Sequence, residues 1–151
     1  MDLERRPDDA DDQAGDAPGE TPAGGSSADD RETAYELLQR GTALSGGRHY
    51  AQAAIVLARA DRLEPGKGSI LEALGRAHFM SGQLAGAAET FERLLEVDPS
   101  SHYGHYALGQ SLMRLGRTAE ARTHLRVAVA LSPDSRLYRD ALARLGPPPP
   151  D

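Results

Sequence analysis

LEALGRAHFMSGQLAGAAETFERLLEVDP, residues 71–99, carries two apolar patterns of helical period with a break at Ser81-Gly82. Leu71, Leu74 and His78 fall at i, i+3 and i+7, and Leu84, Ala87, Ala88 and Phe91 at i, i+3, i+4 and i+7. Residues at these spacings share one face of a helix, so each half can bury one side. Neither half alternates as a strand would. The stretch reads as two helices, separated by a glycine stop and ended by Pro99, which cannot extend the second.

The pattern recurs on both sides. Pro65, Pro99 and Pro133 are 34 residues apart, as are Gly41, Gly75 and Gly109, and Ala53, Ala87 and Ala121. Three residue types in phase over three copies mean stacked supersecondary units. The first copy reads AYELLQRGTALSGG and RHYAQAAIVLARADRLEP, the third HYGHYALGQSLMRLGR and TAEARTHLRVAVALSP. Gly47, Gly82 and Gly116 stand where each first helix should stop in a left-handed cap. The expected fold class is all-α.

These positions resemble the tetratricopeptide repeat, whose pattern is Trp, Leu-Gly three on, Tyr three after that, then Ala, Phe and Pro in the second helix. The first copy holds Leu37, Arg40-Gly41, Leu44, Ala53, Leu57 and Pro65. The second holds Leu71, Leu74-Gly75, His78, Ala87, Phe91 and Pro99. The third holds His105, Leu108-Gly109, Leu112, Ala121, Leu125 and Pro133. The resemblance implies a right-handed solenoid of antiparallel helix pairs, with repeats at about 34–67, 68–101 and 102–135. Arg40 departs from the apolar pattern, as suits a first unit with no neighbour on one side. Residues 136–145, RLYRDALARL, begin a fourth first helix with Arg139 in the Trp place, and are expected to form a solvating cap.

The resemblance also places a concave groove on the first helices. In or near it fall Tyr35, Leu38, Thr42, Glu72, Arg76, Phe79, Met80, Tyr103, Tyr106, Gln110, Met113 and Arg114. Aromatic side chains and Met offer adaptable apolar area, and Arg and Gln fix orientation, so the implied ligand is a peptide or helix of another protein. Phe79 and Met113 have a competing role as packing between neighbouring first helices. Some tetratricopeptide domains hold a chaperone's C-terminal carboxylates with Lys and Asn on these helices. The matching places here carry Leu38, Thr42, Glu72, Arg76, Tyr106 and Gln110, of which only Arg76 can grip a carboxylate, so chaperone-tail binding is not expected.

Composition sets the outer bounds. The chain has 151 residues, no cysteine and no tryptophan, which excludes disulfide scaffolds, thiol chemistry and cysteine-based zinc sites. Residues 1–30 carry ten acids and two bases, and residues 31–151 thirteen and fifteen, so the net charge of −6 belongs to the N-terminal stretch. That stretch has almost nothing apolar to bury and is expected to be a disordered acidic tail ahead of a repeat domain at 31–146. GPPPPD from Gly146 stops the last helix, leaving a proline-rich tail at 147–151. There is no secretory signal pattern and no apolar run of membrane-spanning length, so the cytoplasm is the expected compartment and no membrane partner is implied. Sixteen Arg against one Lys suggests a GC-rich bacterial genome.

No sequence feature calls for catalysis, a cofactor or a metal. His102 and His105 are three apart, but two ligands make a poor metal site, and His105 is expected to be packed or hydrogen-bonded. EPGKGS at 64–69 echoes a phosphate loop without its first glycine or its Ser/Thr, and reads as a turn. Glu89, Glu92 and Glu96 form an acidic stripe in which Glu89 can pair with Arg93 at i, i+4. The repeat region is too weakly basic to imply nucleic acid. The expected function is a protein–protein interaction module, adaptor or scaffold; the alternative is a repeat protein that self-assembles into a homo-oligomer.

Overall fold

The computed structural model describes residues 32–150, and the acidic stretch assigned to residues 1–30 lies outside the described residues. The described residues form seven α-helices, in order: α1 Ala34–Gly46, α2 Tyr50–Leu63, α3 Gly68–Met80, α4 Leu84–Val97, α5 His102–Arg114, α6 Thr118–Leu131 and α7 Arg136–Arg144. No strand occurs among the described residues. The helices pair as α1/α2, α3/α4 and α5/α6, each pair packing on the next, and α7 closes the end against α6. The result is an all-α solenoid of three helix pairs and a terminal helix.

Small-to-large interlocks fix each pair. A Cβ placed on Gly75 would lie 2.6 Å from Phe91 Cε1, one on Gly41 2.4 Å from Leu57 Cγ, and one on Gly109 2.8 Å from Leu125 Cγ. Each glycine therefore lets the large side chain 16 residues later lie directly on the first helix's backbone. The side chains brought in this way, Leu57, Phe91 and Leu125, are buried, as are Leu37, Leu71 and Leu108 of the first helices; all are at most 1% exposed. The buried polar residues Thr90 and Ser111 are satisfied locally, with Thr90 Oγ1 donating to Gly86 O at 2.8 Å and Ser111 Oγ to Ala107 O at 2.9 Å.

The turns repeat as closely as the helices. Gly82 and Gly116 take positive φ of 85° and 83°. Around them Gln83 N donates to His78 O and Arg117 N to Leu112 O, both at 2.8 Å, closing the same cap twice. In the first pair His49 N donates to Leu44 O at 2.8 Å, but the left-handed residue is Arg48, at φ 65°, and not Gly47. The 34-residue register explains this: Arg48, Gly82 and Gly116 are in phase, whereas Gly47 stands one place early.

Between pairs, Arg93 on α4 donates to both carboxylate oxygens of Asp61 on α2, at 2.8 and 3.0 Å. This corrects the expected i, i+4 partner: the guanidinium reaches across the repeat boundary, where a carboxylate with a 14% exposed side chain is shielded from water, instead of pairing with exposed Glu89. In the next boundary the same two places hold Leu95 and Val127. At the chain end Arg122 donates to the carbonyls of Gly146 and Pro147, at 2.6 and 3.5 Å, so the start of the proline run is tied back to α6.

Candidate binding groove

The first helices α1, α3 and α5 lie side by side and form the inner face of the solenoid. Between them opens a pocket of about 480 Å³. Thr42, Ser45 and Gly46 of α1 and Tyr50 at the start of α2 form one wall. Ala73, Arg76, Phe79 and Met80 come from α3, and Tyr103, Tyr106, Ala107 and Gln110 from α5, with Phe91 of α4 reaching in. Ala73 and Ala107 are in phase, and their short side chains leave room between the large ones.

Aromatic rings run in a row from this pocket to the cap. Phe91 meets Tyr103 edge-on, with centroids 6.2 Å apart, and Tyr103 meets Tyr106 at 6.2 Å. Tyr106 stacks on Tyr138 of α7 at 4.9 Å. The Tyr138 hydroxyl lies 2.8 Å from His102 Nδ1. Such offset and edge-on contacts favour a fixed ring geometry. Burial pushes the Tyr103 phenol up to about 12; nearby Arg76 acts against this, and Glu72 and the neighbouring tyrosines add to it.

Arg76 is the one charged residue lining the pocket. It is exposed and forms no ion pair with another described residue. Beside it, Gln110 Oε1 is buried and accepts no hydrogen bond among the described residues.

Of the residues assigned from register, Thr42, Arg76, Phe79, Met80, Tyr103, Tyr106 and Gln110 line the pocket. The others do not. Tyr35 is 65% exposed, its hydroxyl accepting from Gln39 Nε2 at 2.9 Å. Leu38 packs against the core beneath α1. Glu72 is half-buried beside the pocket and adjoins Tyr103 through its charge. Met113 packs against the main core cluster, and Arg114 lies over the Phe79 ring, 5.3 Å from its centroid. Register reasoning missed Ser45, Gly46, Tyr50, Ala73, Phe91 and Ala107. The phase of Ala73 and Ala107 was a usable signal; Tyr50 belongs to a second helix and had none.

The two histidines of HYGHY diverge. His102 bonds to Tyr138, whereas His105 bonds through Nε2 to Pro99 O at 2.9 Å and through Nδ1 to His124 Nδ1 at 3.1 Å. Among the described residues no cluster of three or more His, Asp or Glu could hold a metal ion, and no helix is long and apolar enough to cross a membrane.

A helical-repeat solenoid with an open inner pocket is the architecture of a protein–protein interaction module. Residues 38–96 and 73–136 match the tetratricopeptide repeat family, and the chain belongs to it. Solved structures agree on the fold. The first TPR of Spaghetti (RPAP3), bound to the HSP90 peptide SRMEEVD, is 16% identical, with 75% of this chain and 90% of that chain covered, at a TM-score of 0.72. MamA residues 41 to the end, from Desulfovibrio magneticus RS-1, is 21% identical, with 77% and 66% covered, at 0.73. YrrB, described as a TPR protein with an unusual peptide-binding site, is 24% identical, with 73% and 57% covered, at 0.70, so this chain spans little more than half of it.

Proposed function

We propose that the inner pocket binds a short segment of a partner protein, and that the chain serves as an adaptor or scaffold. The carrying observation is the pocket itself: aromatic and Met walls around one lone guanidinium. Those features suit a segment with a large apolar side chain for the aromatic wall and a carboxylate for Arg76. The two relatives described with bound peptide or a peptide-binding site support the reading.

The self-assembly reading has less support. Where the internal boundary uses Ile70, Leu74 and Ala77, the outward face of α1 carries Glu36, Arg40 and Ala43, all exposed. A charged end surface opposes end-to-end stacking, just as terminal repeats of solenoids keep a polar outer face. Light scattering at two concentrations checks this; a mass that doubles with concentration would favour self-assembly.

Partner capture tests the groove. The full chain is immobilised beside an Arg76→Glu, Met80→Asp double variant, and both are exposed to lysate. Both side chains are exposed, so helical circular dichroism should match the wild type. A protein retained by the wild type and lost by the variant supports the pocket. Equal retention by both contradicts it.

A further inference from the structure

We propose that His105 and His124 form a proton-operated latch, closing the third helix pair near neutral pH and loosening it on acidification. His105 stands on α5 and His124 on α6, with ring centroids 5.3 Å apart, 25° between planes, and Nδ1 facing Nδ1 at 3.1 Å. His105 Nε2 lies 2.9 Å from the Pro99 carbonyl, which can only accept, so that nitrogen carries a proton. Its Nδ1 then has a lone pair when the ring is neutral, and His124 Nδ1–H donates to it. One extra proton can be accommodated on either ring, because one nitrogen of the facing pair still accepts. Two extra protons set N–H against N–H, and the bond between the helices is lost.

The surroundings determine the direction. Burial, then the facing His105, hold His124 below the usual histidine range, while Glu92 on α4 and Glu120 on α6 act against this. Glu120 is itself engaged by Arg117, at 2.8 and 2.9 Å. The folded chain thus prefers neutral His124 more than the unfolded chain does. The latch contributes fully above about pH 6.5, the ordinary histidine value, and its contribution is lost as pH falls through the lowered value of His124, where the second proton enters the pair. The neighbouring repeats show what a helix pair without this device carries: Leu71 matches His105 and Thr90 matches His124 in register. The same α5 carries Tyr103 and Tyr106, so opening the latch would also disturb the pocket wall; the latch itself does not depend on what fills the pocket.

The test replaces the pair with the residues of the second repeat. His105→Leu, His124→Thr should fold, because the introduced threonine can donate to its own i−4 carbonyl as Thr90 does to Gly86. Thermal unfolding of the full chain is followed by circular dichroism at pH 7.5 and 5.0. The wild-type midpoint should fall more than the variant's by at least about 3 °C, a change a small domain resolves readily. Equal falls would overturn the latch. The single variant His124→Thr gives the same comparison, leaving His105 on Pro99 without a facing ring. Ring nitrogen NMR of the wild type supplies a local readout: His124 is expected to protonate late as pH falls. Protonation of the His124 ring at the ordinary histidine value would overturn it.

Discussion

Replacing one glycine with alanine should have opposite effects at two places in this chain. At Gly75 the new methyl would sit 2.6, 2.7 and 3.0 Å from three carbons of the Phe91 ring. The ring is 1% exposed and belongs to the main core cluster, with only its pocket side open, so it cannot swing away without moving its neighbours. Overpacking of this kind costs about 1–3 kcal/mol, and here the upper half applies because the obstacle is rigid. Removing a mid-helix glycine returns about 1 kcal/mol of helix propensity. The net expectation for Gly75→Ala is a loss of roughly 1–2 kcal/mol. Gly46 lies at the end of α1, and a Cβ there meets no atom within 4 Å. Only the propensity gain remains, so Gly46→Ala should stabilise by up to about 1 kcal/mol. Guanidinium unfolding of both variants beside wild type, with slopes compared as well as midpoints, measures the difference. A Gly75→Ala protein as stable as wild type would refute the interlock as the cause of the glycine period.

Other outcomes follow from the same packing. Arg48 occupies a left-handed place that its counterparts fill with glycine, so Arg48→Gly should raise stability by about 0.5–1 kcal/mol in the same unfolding assay. Arg93→Ala strands the shielded Asp61 carboxylate and should cost about 1–2 kcal/mol, whereas Asp61→Leu, Arg93→Val, copying the next boundary, should restore most of it. The raised pKa of Tyr103 in the folded chain favours the neutral phenol, so its stabilisation is present below about pH 10 and is lost as pH rises towards about 12. Tyr103→Phe should flatten that alkaline decline, read as the unfolding midpoint against pH. Tyr138→Ala removes both the stack on Tyr106 and the bond to His102, and should lower the midpoint while weakening partner capture.

The repeat was legible because its signal is redundant. Gly75 with Phe91, and Gly41 and Gly109 with their leucines, are one steric constraint stated three times, and a 34-residue period is visible without any structure. The inner face was legible only by register, and register tells which side a residue takes, not how deep it lies. Leu38 and Met113 share the concave register yet pack into the core, because long apolar side chains fold over whatever gap their neighbours leave. Contacts from outside the first helices left no periodic trace. Tyr50 enters from a second helix, and Tyr138 from the cap. The pairing of His105 with His124 spans 19 residues and occurs in one repeat alone, so nothing in the period announces it. Arg93 followed neither helix spacing nor period, since the best shielded carboxylate within reach lay across a repeat boundary.

Site-specific photocrosslinking shows whether a partner protein sits in the inner pocket. A benzophenone side chain placed at Met80, on the pocket rim, is compared with one at Thr123, an exposed second-helix position away from the pocket. On illumination in lysate, the Met80 position should trap a discrete partner that competes away with unlabelled wild-type chain, while Thr123 traps nothing comparable. A partner trapped equally at Thr123, or at Thr123 alone, would contradict the pocket as the binding site.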